Sequence, residues 1–163
     1  MSAVYSIDTS ALMTWYFRRY PPAVFKSIVP LMEKLIADGR LRASEYVLTE
    51  LGSKKDILHD WAAAQPNFFI KTDSDVSTRA ANLVKAYPRL IDPASLRSIQ
   101  ADPYVVALAA SNRDWIVVTE ETFAKTKTSG KRKNRTYIPD VCAAEKVVCI
   151  TFLDMMRLEK WVV

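Results

Sequence analysis

Short apolar runs alternate along the chain with longer stretches of helical spacing. Residues 4–8 read as a buried strand, and 9–20 as the start of a heavily aromatic helix, interrupted by Pro21 and Pro22. Apolar side chains recur at Phe25, Ile28, Val29, Leu31, Met32, Leu35 and Ile36, which predicts a helix over 24–38 stopped by Gly39. Residues 41–43 read as a candidate short strand. Ser44 is placed to cap a helix carrying Val47, Leu48 and Leu51, and Ser53 to cap one carrying Ile57, Leu58 and Trp61. Further strands are predicted at 68–71, 115–119 and 147–151, and helices at 74–87, 102–111, 139–146 and 152–161. Pro103 falls in a first helical turn, where its missing N–H costs nothing. Strands separated by helices predict an α/β domain with a mainly parallel sheet, whose sites lie at the carboxyl ends of the strands.

The 163 residues suffice for one domain, and half of them are hydrophobic, enough for one sizeable core. No apolar run reaches the ~18–20 residues of a membrane helix. The first residues, MSAVYSIDTSAL, lack the basic region of a signal peptide, so a cytoplasmic location is expected. Counts of single residue types exclude whole chemistries. One histidine, His59, cannot build a multi-histidine metal site and reads as a surface helical residue. Cys142 and Cys149 match neither a redox pair nor a zinc knuckle and read as small core residues. Three glycines allow no glycine-rich phosphate loop. Carboxylates remain, and they suit hard divalent cations.

The net charge of +5 is unevenly placed. Residues 125–135, KTKTSGKRKNR, hold six bases and no acid: Lys125, Lys127, Lys131, Arg132, Lys133 and Arg135. With no apolar residue the segment cannot join a core. It reads as a mobile phosphate-binding loop over the strand ends, or as solvated surface. Trp15, Tyr16, Phe17 and Tyr20, interleaved with Arg18 and Arg19, could stack bases, or fill the core and a partner interface.

Each acid at a strand end or helix start has a plain structural reading beside a functional one. Asp8 ends the first strand and also suits a helix N-cap. Glu50 could pair with Lys54 on a helix surface. Asp102 and Asp140 flank prolines at helix starts and suit capping. Glu120 and Glu121 follow a strand and could be a solvated turn. Asp8 and the Glu120–Glu121 pair end strands on the same predicted edge, and Asp102 starts a helix that leads into one of those strands. Two carboxylates ~6 Å apart at an effective dielectric of ~20 repel by roughly 3 kcal/mol, a cost that a bound divalent cation removes.

The ordered motifs Tyr5-Ser-Ile-Asp8-Thr-Ser10, Val47-Leu-Thr-Glu50-Leu51, Ala101-Asp102-Pro-Tyr-Val-Val-Ala-Leu-Ala109 and Val117-Val-Thr119-Glu120-Glu121 resemble those of PIN domains. That is the nuclease fold of many bacterial and archaeal toxins of the VapC type. The resemblance spans about residues 4–161 and is nearest a PIN-like subgroup with an Ile-Pro-Asp-Val-Cys segment, here Ile138–Cys142. It implies a three-layer α/β/α sandwich around a mainly parallel sheet, as a single domain over 1–163. It also implies acids that hold one or two Mg²⁺ or Mn²⁺ ions for phosphodiester hydrolysis, usually of RNA, with a cognate antitoxin protein and a homodimer as partners. Asp8, Glu50 and Asp102 match the first three acids. The fourth, two residues past the strand-end threonine, falls on Glu121 in place of the usual aspartate, with Glu120 and Asp140 as competitors. In that mechanism the ions polarise the phosphate and activate water, Asp8 and Asp102 are the main ligands, and Glu50 binds a second ion or orients the water. A non-cleaving PIN-like module that binds nucleic acid or protein is the alternative. A phosphatase with Asp8 as nucleophile ranks below both, because Ser10 stands where such enzymes place a second acid.

Overall fold

The computed structural model describes residues 2–95, 98–130 and 134–163. Five parallel strands form one sheet: β1 (Val4–Ile7), β2 (Leu41–Ser44), β3 (Phe69–Ile70), β4 (Trp115–Val118) and β5 (Val148–Ile150). Their order is β3-β2-β1-β4-β5. Eight α-helices among the described residues cover it: α1 (Thr9–Met13), α2 (Ile28–Ala37), α3 (Glu45–Leu51), α4 (Ile57–Ala63), α5 (Ser74–Ala86), α6 (Asp102–Ala110), α7 (Ile138–Glu145) and α8 (Phe152–Leu158). The result is a three-layer α/β/α sandwich with a wholly parallel sheet. None of the described helices is long and apolar enough to cross a membrane.

The central strand shows why this order forms. Tyr5, Ser6 and Ile7 are fully buried, so β1 needs neighbours on both edges and cover on both faces. β2 supplies one edge, pairing Tyr5 with Leu41, and β4 the other, pairing Ile7 with Val118. The one polar residue, Ser6, donates its hydroxyl to the Val105 carbonyl of α6 at 2.9 Å, so burial leaves it satisfied. Helix α6 packs on β1, β2 and β4 with α5 over it, and its residues Val105–Ala109 are all buried. From β1 the chain winds outward to β2 and β3, then returns across β1 to β4 and β5. The winding reverses between β1 and β4, and a crevice opens there at the carboxyl ends of the strands.

Most predicted elements are present, with four shifts. The first helical stretch splits into α1 and a π-helical segment over Thr14–Arg19. Trp15 is fully buried there, stacked on Phe152 at 6.1 Å and edge-on to Trp61 at 4.9 Å. The aromatic run therefore serves the core first, although Phe17 remains 44% exposed. Helix α2 begins at Ile28, four residues later than predicted, because turns after Pro21 and Pro22 use the intervening amides. Gly39 ends it as expected, at a φ of +71° that suits glycine. The cap of α4 is Asp56, not Ser53, its carboxylate accepting from the His59 amide at 3.1 Å. Strand β3 is only two residues long.

The end of the sheet opposite the crevice is held by an ion pair. The Arg40 guanidinium grips Glu159 through two bonds, Nη1 to Oε2 at 2.8 Å and Nη2 to Oε1 at 2.5 Å, and donates Nε to the Ala3 carbonyl at 3.0 Å. The Tyr5 hydroxyl donates to the same Glu159 Oε1 at 2.6 Å. The clamp joins β1, the start of β2 and the residue ending α8, and the Glu159 side chain is only 10% exposed. Removing the carboxylate leaves a half-buried cation without its counter-ion. Glu159→Ala should therefore lower unfolding free energy by about 2–3 kcal/mol in urea titrations. A change below about 0.5 kcal/mol would class the pair with ordinary surface bridges.

Candidate active site

The crevice is built from the first residues past β1 and β4. Asp8 directly follows β1, caps α1 and is 3% exposed. Its Oδ2 accepts from the Ser10 amide at 3.3 Å, the Ser10 hydroxyl at 2.6 Å and the Thr119 hydroxyl at 3.0 Å. Each hydroxyl also accepts an amide of the next segment: Ser10 Oγ from Glu120 at 3.0 Å, and Thr119 Oγ1 from Glu121 at 3.1 Å. One hydroxyl carries one proton. With both protons spent on Asp8, the 3.1 Å approach of Ser10 Oγ to Thr119 Oγ1 is a contact and not a further bond. Asp8 thereby ties the end of β1 to the turn after β4. Burial raises its carboxyl above the ordinary aspartate range, and these donors oppose the rise.

Three more acids lie near enough to feel the charge of Asp8. Glu50, near the end of α3, is no surface partner of Lys54. Its Oε1 accepts from the Ala101 amide, at the start of α6, at 2.7 Å. Burial raises its carboxyl, the Ala101 bond opposes this, and Asp8 adds to it. Glu121 is not a solvated turn either. Its Oε2 accepts from the Ile138 amide at the start of α7, at 2.8 Å. Burial, then Asp8, push its carboxyl up to about 7. Asp102 is the first residue of α6, one beyond the cap position expected for it, and makes no hydrogen bond to any described residue. Its carboxyl is pushed well above the ordinary range, first by burial and then by Glu121, Asp8 and Glu50.

The structure sends the two competitors elsewhere. Glu120 turns to α8, its Oε1 accepting from the Phe152 amide at 2.8 Å. Asp140 holds the Tyr137 amide at 2.9 Å in a capping box, and also the Ala124 amide at 3.1 Å. Neither lines the cavity that Glu50, Asp102 and Glu121 share. That cavity, of about 510 Å³, is walled by Thr9, Thr49, Ser53 and Lys54 on one side and by Asp92, Ser95, Ser98 and Gln100 on the other. Its second wall has no motif in the sequence. Gln100 fixes it by bonding both the amide and the carbonyl of Asp92, at 2.8 and 2.9 Å.

The basic segment divides. Lys125 and Lys127 lie at its start, over the rings of Phe123 at 5.3 Å and Tyr137 at 4.6 Å. Lys131, Arg132 and Lys133 fall outside the described residues. Arg135, near its end, lines the acid cavity. His59 lies beside Asp60, with Nδ1 3.2 Å from its Oδ1, and does not line the cavity. Cys142 is buried and Cys149 half-buried, both as free thiols.

Oxygen-only donors suit Mg²⁺ or Mn²⁺ in kind. The acids are not closed into a cage: among the described residues, no group of three or more His, Cys, Asp and Glu side chains is arranged to hold a metal ion. The physical reason is local. Glu50 and Glu121 each spend an oxygen on a backbone amide, and mutual repulsion opposes closer approach. Asp8 and Asp102, with Glu121 freed from Ile138, are the residues whose chemistry fits a cation.

Fold and site together define a doubly wound α/β protein with an acid-lined cavity at its switch point. A family model described as a domain of unknown function (DUF4411) matches residues 5–163, and the chain belongs to that family. No curated protein matches it.

The buried acids set a pH dependence. Folded Glu121 keeps its proton up to about 7, while an ordinary glutamate releases it near 4.5. Between those values the folded state binds more protons than the unfolded one, so stability falls as pH rises through the window. With chelator present, the melting temperature at pH 8 should lie several degrees below that at pH 5, and Glu121→Gln should flatten the fall. A rise across that interval in the wild type would contradict the burial of these groups.

Proposed function

We propose that this protein is a divalent-metal-dependent endoribonuclease of PIN type, acting in the cytoplasm as the toxin of a type II toxin–antitoxin pair. The observation that carries the nuclease reading is that Glu50, Asp102 and Glu121 line one cavity at the switch point of a parallel sheet, with buried Asp8 near enough to raise all three carboxyls. The toxin role, the antitoxin partner and a homodimer rest on the motif resemblance alone.

Mg²⁺ or Mn²⁺, when bound, supplies the positive charge that polarises a phosphodiester and makes a water acidic enough to attack it. Asp102, which makes no hydrogen bond to a described residue, and Asp8, held rigid by Ser10 and Thr119, would hold the ion. Glu121 would join them by giving up the Ile138 amide. Glu50, fixed on the Ala101 amide through one oxygen, has its second oxygen to orient a water. The buried hydroxyl of Thr9 lines the same cavity. It lies near enough to favour the ionised form of Glu50, yet forms no hydrogen bond of normal geometry.

One observation favours a second reading, a nucleic-acid- or protein-binding module that does not cleave. It is the lack of a ready-made ligand group among the described residues. Cleavage of a panel of structured and single-stranded RNAs with Mn²⁺, Mg²⁺ or chelator separates the two.

Under the nuclease reading, Asp8→Asn and Asp102→Asn should each cut metal-dependent cleavage by at least ~100-fold, since each removes a charge that holds the ion. Both should raise the melting temperature of the chelated protein, because a buried repulsion is relieved. Full activity in either variant would remove it from the site. Glu121→Gln should likewise depress cleavage. Glu120→Gln should cost only the charged bond to the start of α8, about 1 kcal/mol of stability. The reverse ranking of the two glutamates would make Glu120 the fourth acid. Replacing Lys125 and Lys127 with Gln should raise the Michaelis constant and lessen the salt dependence of cleavage. An unchanged salt slope would reduce both lysines to solvated surface.

A further inference from the structure

Among the described residues, three buried side-chain polar atoms have no hydrogen-bond partner: Thr9 Oγ1, Trp15 Nε1 and Arg135 Nε. Thr9 and Arg135 line the same cavity. Arg135 is the more telling, because its guanidinium is anchored from behind. One terminal nitrogen donates to the Leu90 carbonyl at 3.2 Å, and the plane lies 5.5 Å from the Tyr137 ring centroid. Its nearest acid, Asp92, is 3.8 Å away, a long and partly exposed ion pair. A guanidinium carries five N–H donors in a rigid fork. The Leu90 bond uses one. The buried Nε–H stays unused, an unfavourable state for a donor held away from water.

We propose that Arg135 is a phosphate-binding residue of the active site, donating N–H groups of its guanidinium to a non-bridging oxygen of the phosphodiester that is cleaved. The inference rests on the nuclease reading and deepens it. Arg135 leaves the general basic surface and becomes a catalytic residue that touches the reacting group. Three features support this use. The cavity holds acids that would repel a phosphate unless a fixed cation stood among them. Arg135 favours the ionised forms of Asp102 and Glu121, so its charge reaches the acids that would hold the ion. The guanidinium offers a rigid bidentate fork, which a lysine there would not reproduce. Negative charge builds on the non-bridging oxygens during hydrolysis, so a preset fork strengthens its bonds in the transition state.

The test uses Arg135→Ala and Arg135→Lys beside wild type, with two readouts. The first is steady-state cleavage of a short RNA at saturating Mg²⁺. The expected result is a turnover number lower by ~100-fold for Ala and at least ~10-fold for Lys, with the Michaelis constant changed less. The second is calorimetric binding of inorganic phosphate in the presence of Mg²⁺, which needs no turnover. Arg135→Ala should weaken it at least ~10-fold while Mg²⁺ affinity stays equal or rises. If the Ala variant fails to fold, Arg135→Lys decides: it keeps the charge and loses only the fork. If wild type cleaves no RNA, the nuclease reading fails by itself, and the phosphate measurement still judges Arg135. Phosphate affinity and turnover both within 2-fold of wild type in a folded variant overturn the proposal. So does a loss confined to melting temperature, which makes the guanidinium a structural counter-ion.

Discussion

The arrangement depends on burying negative charge where a parallel sheet ends. Asp8 is nearly inaccessible, and such a carboxylate is tolerable only with donors around it. Ser10 and Thr119 provide them, and their oxygens in turn accept the amides of Glu120 and Glu121. This single polar knot sets the separation of the β1 and β4 ends. It also sets the direction in which the chain leaves β4, and hence where the two glutamates reach.

The remaining acids are kept by backbone amides at helix starts. Glu50 meets the amide that begins α6, Glu121 and Asp140 those that begin α7, and Glu120 that of α8. Helix starts offer unpaired N–H groups and a favourable dipole, so each carboxylate finds a donor without a side-chain cation. Asp102 alone has no such bond to a described residue, and it carries a pronounced rise among the site acids. It is the least satisfied group of the crevice and so the one with most to gain from a cation.

Stability is supplied at the far end of the molecule. The Arg40 grip on Glu159, with the Tyr5 hydroxyl on the same carboxylate, closes the opposite edge of β1 and β2 with well-made bonds. A repulsive crevice at one end of the sheet and a satisfied ion pair at the other is the distribution expected of a protein whose site works against folding. The pairing also accounts for a C-terminal helix that ends in an acid turned toward the core.

Strand and helix periodicity, Gly39 as a helix stop, Ser44 as a cap and the strand-end position of Asp8 are local properties, and the amino-acid sequence determined them. So were the parallel α/β class and the spacing of Glu121 from Thr119. What only the tertiary structure decided is where long side chains go. Glu120 and Glu121 are adjacent and chemically identical, and the spacing from Thr119 favoured Glu121 through a resemblance, not through any local physical difference. The choice follows from the placement of α7 and α8, whose first amides lie in different directions from one turn. The same holds for Glu50, which looked like a partner for Lys54 until α6 was laid against α3. It holds for Arg135, indistinguishable in sequence from five other bases until Leu90 and Tyr137 fixed it in the cavity. A backbone pattern repeats over a few residues and can be read along the chain. The partner of a flexible charged side chain is set by segments tens of residues away, through burial and hydrogen bonding that exist only once the layers have packed.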